Sequence, residues 1–292
     1  GRMGALKGAK YVALALGIAA VSTGAIFVRL ADAPAIVTAA YRMGIASLLL
    51  APFALVRARG EIARLGAAEW RAVSAAGVFL ALHFATWISS LDYTTVASSV
   101  VLVNTNPLWV GLLSLILGKD RPSNLTKAGI VLSVLGAVVI GAGDFALGKG
   151  ALWGDFLAAA GGCFCALYIW MGRSVRPRMT LLTYTALCYS TAAVILWAFV
   201  FALGLPATGY PKETWAAFFA LALVPQLLGH STYNWALRYF SANFVAVGLL
   251  GEPVGSSILA YFILKEGITM AKFAGGALIL AGIYLASRGE QT

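Results

Sequence analysis

The chain has 292 residues, 61% of them hydrophobic and only 11% charged, with a formal net charge of +10. A soluble domain carries roughly 25% charged residues, so this composition excludes a water-soluble fold and indicates a polytopic helical membrane protein. The basic residues are spread between apolar runs, not gathered on one folded surface, which argues against a nucleic-acid-binding role.

Gly1 and Arg2 read as an expression scar before a start at Met3. Lys7 and Lys10, with Ala31-Asp32-Ala33 downstream, give the beginning the shape of a signal peptide. Its apolar stretch from Tyr11 to Val28 is longer than a usual signal core, however, and Pro34 follows immediately. We therefore read a retained first span. Runs of about twenty apolar residues, enough to cross a hydrocarbon layer of ~30 Å, then recur along the chain. Ten spans are predicted, at 10–30, 35–56, 70–91, 95–117, 125–142, 151–172, 180–203, 213–236, 241–263 and 270–287. Asp32-Ala33-Pro34, Lys119-Asp120-Arg121-Pro122 and Arg176-Pro177-Arg178 supply the breaks. The longest link, 57–71, is expected to lie at the interface as a short helix.

Counting Lys and Arg in the links gives 15 on the side of the termini and 5 on the other. The positive-inside rule then puts both termini in the cytoplasm. Cys163, Cys165 and Cys188 all lie in apolar stretches, without metal-like spacing, and read as small packing residues. No cofactor and no metal is expected.

Residues 86–143 repeat without a gap as 232–289, a shift of 146 positions with 12 identities in 58 pairs. Pro107/Pro253, Lys119/Lys265, Gly129/Gly275, Gly136/Gly282 and Gly143/Gly289 fall in register, and Asp120/Glu266 is conservative. The chain divides on this reading into repeats 1–145 and 146–292. Copies five spans apart cross the membrane in opposite directions, so the repeat is inverted, as alternating access requires.

A charge at mid-bilayer costs ~2.5–3.5 kcal/mol even on the lenient insertion scale, so it normally faces a cavity or a partner. Only Arg42, Glu252, His83 and His230 fall well inside spans. Glu252 precedes Pro253 among Gly248, Gly251 and Gly255, where a bent polar backbone is expected. It can bind a substrate amine, carry a proton, or serve as a structural hydrogen-bonding group. His83 and Trp87 share one helix face, as do Gln226, His230, Tyr233 and Asn234 on span 8. Such aromatic faces with a few polar groups suit a small organic ligand, or equally interhelical packing. Asn104, Trp109, Tyr168 and Trp170 are further mid-span candidates. Arg42 can hold a carboxylate, pair with an acid, snorkel, or stabilise a helix contact.

The two mid-span proline motifs, Asn106-Pro107 then Lys119-Asp120 and Glu252-Pro253 then Lys265-Glu266, together with Ser22-Thr23-Gly24-Ala25-Ile26-Phe27-Val28-Arg29, resemble the drug/metabolite transporter superfamily. The likeness spans nearly the whole chain and points to the EamA-type ten-span branch. It implies a cavity lined mainly by spans 3, 4, 8 and 9, flanked by spans 1 and 6, and export of aromatic and other amino acids. It favours His83, Trp87, Asn104, Trp109, Tyr233 and Glu252 over Arg42. The first half carries Lys119-Asp120-Arg121 where the family pattern ends in a glutamate.

The expectation is an all-α amino-acid exporter of the bacterial inner membrane, surrounded by lipid and acting as a monomer. Its substrate-binding candidates are His83, Trp87, Asn104, Trp109, Tyr168, Trp170, Tyr233 and Glu252. Export of hydrophobic cations is the alternative within transport, and a passive channel the alternative outside it. An enzyme is disfavoured, because no H-E-x-x-H and no paired aspartates occur.

Overall fold

A computed structural model describes residues 2–118, 121–142, 150–267 and 270–291. Lys119, Asp120 and Gly143 of the repeated motif lie outside the described residues. All regular structure among the described residues is helical. The first half holds α1 (Arg2–Val21), α2 (Gly24–Ala31), α3 (Ala35–Phe53), α4 (Arg59–Ala63), α5 (Ala67–Ser90), α6 (Val96–Val103), α7 (Asn106–Leu117) and α8 (Asn124–Ala142). The second holds α9 (Ala151–Val175), α10 (Leu181–Ala202), α11 (Lys212–Leu221), α12 (Ser231–Ala236), α13 (Ala242–Gly248), α14 (Gly251–Leu264) and α15 (Met270–Gln291).

Seven helical runs among the described residues are long and apolar enough to cross a membrane: Met3–Ala31, Ala35–Ala63, Ala67–Ser90, Val96–Leu117, Trp153–Arg178, Leu181–Ala202 and Ala242–Leu264. The other three predicted spans fall on α8, on the run from α11 to α12, and on α15. The apolar parts of α8 and α15 are shorter, at Asn124–Gly136 and Phe273–Ala286.

Three of the seven runs are interrupted near their middles. α1 gives way to α2 at Ser22-Thr23, α6 to α7 at Asn104-Thr105, and α13 to α14 at Leu249-Leu250. Carbonyls freed inside a bilayer find no water, so the protein must supply their donors. At the first break Ser22 Oγ donates to the Ile18 carbonyl (2.8 Å) and Thr23 Oγ1 to that of Ala20 (2.6 Å). At the second, Asn104 Nδ2 donates to Val100 (2.6 Å) and Thr105 Oγ1 to Leu102 (2.8 Å). Pro107 and Pro253 sit in the first turns of α7 and α14, where a missing N–H leaves no helix bond unmade. The prolines therefore begin half-helices instead of kinking whole ones.

Two other prolines widen their helices. Pro52 precedes a π-helical turn at Ala54–Ala58, and Pro225 lies inside one at Ala222–His230. The helix of α3 thus runs through the π turn into α4, and only residues 64–66 of the expected interfacial link are non-helical. At the other end of span 1, Asp32 closes α2 in the left-handed conformation (φ 50°) just before Ala33-Pro34.

Small residues set how closely the helices meet. α8 and α15 pack antiparallel: a Cβ on Gly129 would lie 2.5 Å from the Gly282 carbonyl oxygen, and one on Gly136 would lie 2.5 Å from that of Gly275. In the 146-residue register Gly129 corresponds to Gly275 and Gly136 to Gly282, so each glycine meets the counterpart of the other. Between them Ser133 Oγ donates to the carbonyl of its own counterpart, Ile279, at 3.5 Å.

Both ends of the bundle are tied. At one, the Glu61 carboxylate accepts from the Thr180 N–H (2.8 Å) and hydroxyl (2.7 Å), and Glu69 pairs with Arg178 at 3.2 Å. At the other, Arg29 Nη2 donates to the Thr94 carbonyl (2.9 Å) and Thr214 Oγ1 to that of Ala31 (2.6 Å). There the Tyr41 ring stacks on Phe218 at 4.7 Å and meets the edges of Trp197 and Trp215.

Candidate functional site

The helix breaks converge on a cavity between the two tied ends. It is lined by Val21, Arg42, His83, Trp87, Val103, Asn104, Asn106, Cys165, His230, Leu249 and Glu252. Its volume is about 20 Å³, room for roughly one water molecule. Every break contributes: Val21 ends α1, Val103, Asn104 and Asn106 flank the α6–α7 break, and Leu249 and Glu252 flank the α13–α14 break.

His83 and Asn106 are each held from behind and leave one group for the cavity. His83 Nδ1 lies 2.9 Å from the Gly161 carbonyl. A carbonyl only accepts, so Nδ1 carries the proton and Nε2 keeps its lone pair in the neutral ring. The Trp87 ring lies nearly parallel to His83, 8° between planes and 6.1 Å between centroids. Its indole N–H is buried with no protein acceptor. Gly161 makes this arrangement possible, since a Cβ there would sit 3.1 Å from Thr86 Oγ1 and 3.3 Å from Trp87 Cβ. Asn106 gives its amide N–H to the Val103 carbonyl and to Cys165 Sγ, and its Oδ1 has no protein donor.

A carboxyl group and a guanidinium share this space. Glu252 stands in the first turn of α14, where the positive end of the helix dipole favours a carboxylate. The Asn104 side chain lies beside it. Arg42, 1% exposed, comes from α3. Its Nε donates to Gln226 Oε1 at 2.9 Å and its guanidinium carbon lies 4.2 Å over the Phe84 ring. Each charge feels the field of the other, yet no ion pair joins them; among the described residues the ion pair within 4.0 Å is Arg178–Glu69. Chemically the cavity offers acceptors at Glu252, His83 and Asn106, and donors at Arg42 and Trp87.

Of the eight residues expected from the sequence, His83, Trp87, Asn104 and Glu252 line the cavity together. Tyr168, Trp170 and Tyr233 are buried but do not line it. Tyr168 takes a hydrogen bond from Asn234 Nδ2 at 2.6 Å, and Tyr233 lies 5.9 Å from the His230 ring. Trp109 is 39% exposed and sits apart from the cavity. Its register counterpart, Gly255, has Ser22 pressed against it, a contact with no room for an indole. Arg42, Asn106, Cys165 and His230, with the apolar Val21, Val103 and Leu249, complete the lining. The position of Asn106 just before a helix-starting proline was a usable signal for it; nothing in the sequence marked Cys165. No group of three or more His, Cys, Asp or Glu suited to a metal ion occurs among the described residues.

Comparison with known proteins agrees with this architecture. The profile of the EamA-like transporter family matches residues 6–142 and again 152–288. An uncharacterized transporter of Archaeoglobus fulgidus is 30% identical over 251 residues, covering 84% of this chain and 85% of that one. The uncharacterized transporter YetK of Bacillus subtilis is 28% identical over 295 residues, 94% of this chain and 86% of its own. A solved structure described as "Crystal structure of protein" superposes with a TM-score of 0.76 at 23% identity, covering 96% of this chain and 98% of that one; at that identity it speaks for the fold alone. A multi-pass helical bundle whose halves both match the same profile is accounted for in one way: the chain belongs to the EamA-like transporter family.

Proposed function

We propose that this transporter exports amino acids, aromatic and other neutral ones favoured, across the bacterial inner membrane, with both termini in the cytoplasm. The observation that carries the reading is the mid-membrane cavity, where Glu252, neutral His83, Asn104 and the Trp87 indole face one another at two broken helices. The carboxylate and the His83 lone pair suit an ammonium, and the indole face suits an apolar side chain. A resemblance of the two proline motifs to those of the bacterial amino-acid exporter YddG supports the same substrate class.

The transport unit is ten spans in two inverted halves, 1–145 and 146–292, working by alternating access. Two successive profile matches and the antiparallel crossing of α8 with its register counterpart α15 support this. Glu252 is the acid available inside the cavity to carry a proton. Counterflow of a labelled amino-acid panel in proteoliposomes, with and without a pH gradient, tests the reading for wild type and Glu252→Gln. Saturable amino-acid exchange is expected, with the response to the gradient lost in the variant. Exchange of no amino acid, accompanied by saturable flux of a hydrophobic cation, would favour the alternative in which Glu252 and Trp87 receive an organic cation. A Glu252→Gln variant that keeps both rate and pH response removes the proton-carrier role.

A further inference from the structure

Arg42 carries a donor that the fold leaves unspent. Its Nε is taken by Gln226 and one face of the guanidinium is covered by Phe84, while Nη1 is buried with no hydrogen-bond partner. A guanidinium cannot shed its charge, so such a group is costly unless an anion meets it. The acid in the same cavity does not form an ion pair with it. Gly24, at the start of α2, explains what keeps the neighbouring space open: a Cβ there would lie 3.5 Å from Arg42 Nη1 and 3.4 Å from the Trp87 ring. Arg42 and Trp87 line the cavity, and Gly24 lies beside them in place of a side chain, with Pro225 Cβ 3.7 Å from where its Cβ would be.

We propose that Arg42 receives the carboxylate of the transported solute, through Nη1, in the space that Gly24 leaves beside it. Gln226 is the positioning residue, fixing Nε so that the rest of the fork is presented to the cavity. The carboxylate then sits at Arg42 and the ammonium at Glu252 and His83, and the cavity reads a zwitterion by its two ends. A charge-assisted bond of this kind is stronger than a neutral one and sensitive to fork geometry. The inference rests on the amino-acid reading above and assigns that reading a residue the family resemblance had set aside.

The test is calorimetric titration of the full-length protein in nanodiscs with L-phenylalanine, L-phenylalaninamide and 3-phenylpropionate. Wild type is expected to bind the free amino acid at least tenfold more tightly than the amide. Arg42→Gln should bring that ratio near one by weakening phenylalanine and 3-phenylpropionate while sparing the amide, and Arg42→Lys should restore part of it. Gly24→Ala adds a methyl at ordinary contact distance, so it is expected to fold and to weaken the carboxylates selectively. Should Arg42→Gln not fold, the wild-type ratio and Gly24→Ala still decide. Equal wild-type affinity for amino acid and amide, or an unchanged ratio in a folded Arg42→Gln or in Gly24→Ala, overturns the assignment and leaves the amino-acid reading standing. Binding of none of the three overturns both.

Discussion

Trp87 packs beside His83 and, on the reading proposed above, also meets the solute, and the two roles can be separated. Replacing it by Phe keeps a ring beside His83 but removes the buried N–H that has no protein acceptor. A hydrogen bond to a solute is worth about 0.5–1.5 kcal/mol, so Trp87→Phe should raise KM by about 3- to 10-fold with normal insertion and thermal stability. Transport kinetics on the purified variant check this, and an unchanged KM makes Trp87 a packing residue. The sequence displayed much of this residue-scale picture, because Glu252, His83 and Arg42 are conspicuous against an apolar background. It did not display which of them share a space. Arg42 reaches the cavity because Gln226, 184 positions away, turns its fork and Phe84 covers its face. Those are relations between spans, and one-dimensional spacing does not contain them.

Among the elements, the breaks at Pro107 and Pro253 were legible and the break at Ser22-Thr23 was not. Proline announces a missing donor; serine and threonine announce nothing until their hydroxyls are seen bonded to their own helix. The π turns were hidden for a similar reason, since Pro52 and Pro225 are equally compatible with a kink or an end. The glycines of α8 and α15 were visible in the repeat, but their cross-wise pairing required coordinates. A methyl on Gly129 would lie 2.5 Å from a carbonyl oxygen and 2.9 Å from the Ala286 nitrogen, so the helices must separate to admit it. Overpacking of this kind costs typically 1–3 kcal/mol. Gly129→Ala is expected to lower the apparent unfolding temperature in detergent by several degrees, whereas Gly4→Ala, with nothing within 4 Å, should not; equal melting of the two would refute the tight contact.

For the whole molecule, two tied ends flank one small cavity. Cys165 lines that cavity and is 4% exposed, so its modification reports opening. In a Cys163→Ser, Cys188→Ser background, Glu61→Ala combined with Arg178→Ala removes the ties between the α4–α5 and α9–α10 ends. Two such polar contacts together contribute about 1–2 kcal/mol. Cys165 should then react with an impermeant maleimide on that side about tenfold faster, and an unaltered rate would show that the ties do not hold the bundle shut.

The size of the closed cavity has a consequence for the energetics of a transport cycle. A space for about one water is too small for any amino acid, so a solute enters only as the lining helices part. Entry and opening are then one event, and part of the free energy of binding goes into separating helices. On the amino-acid reading proposed above, the protein then selects a solute by how much opening that solute can sustain, and not by its fit to a standing pocket.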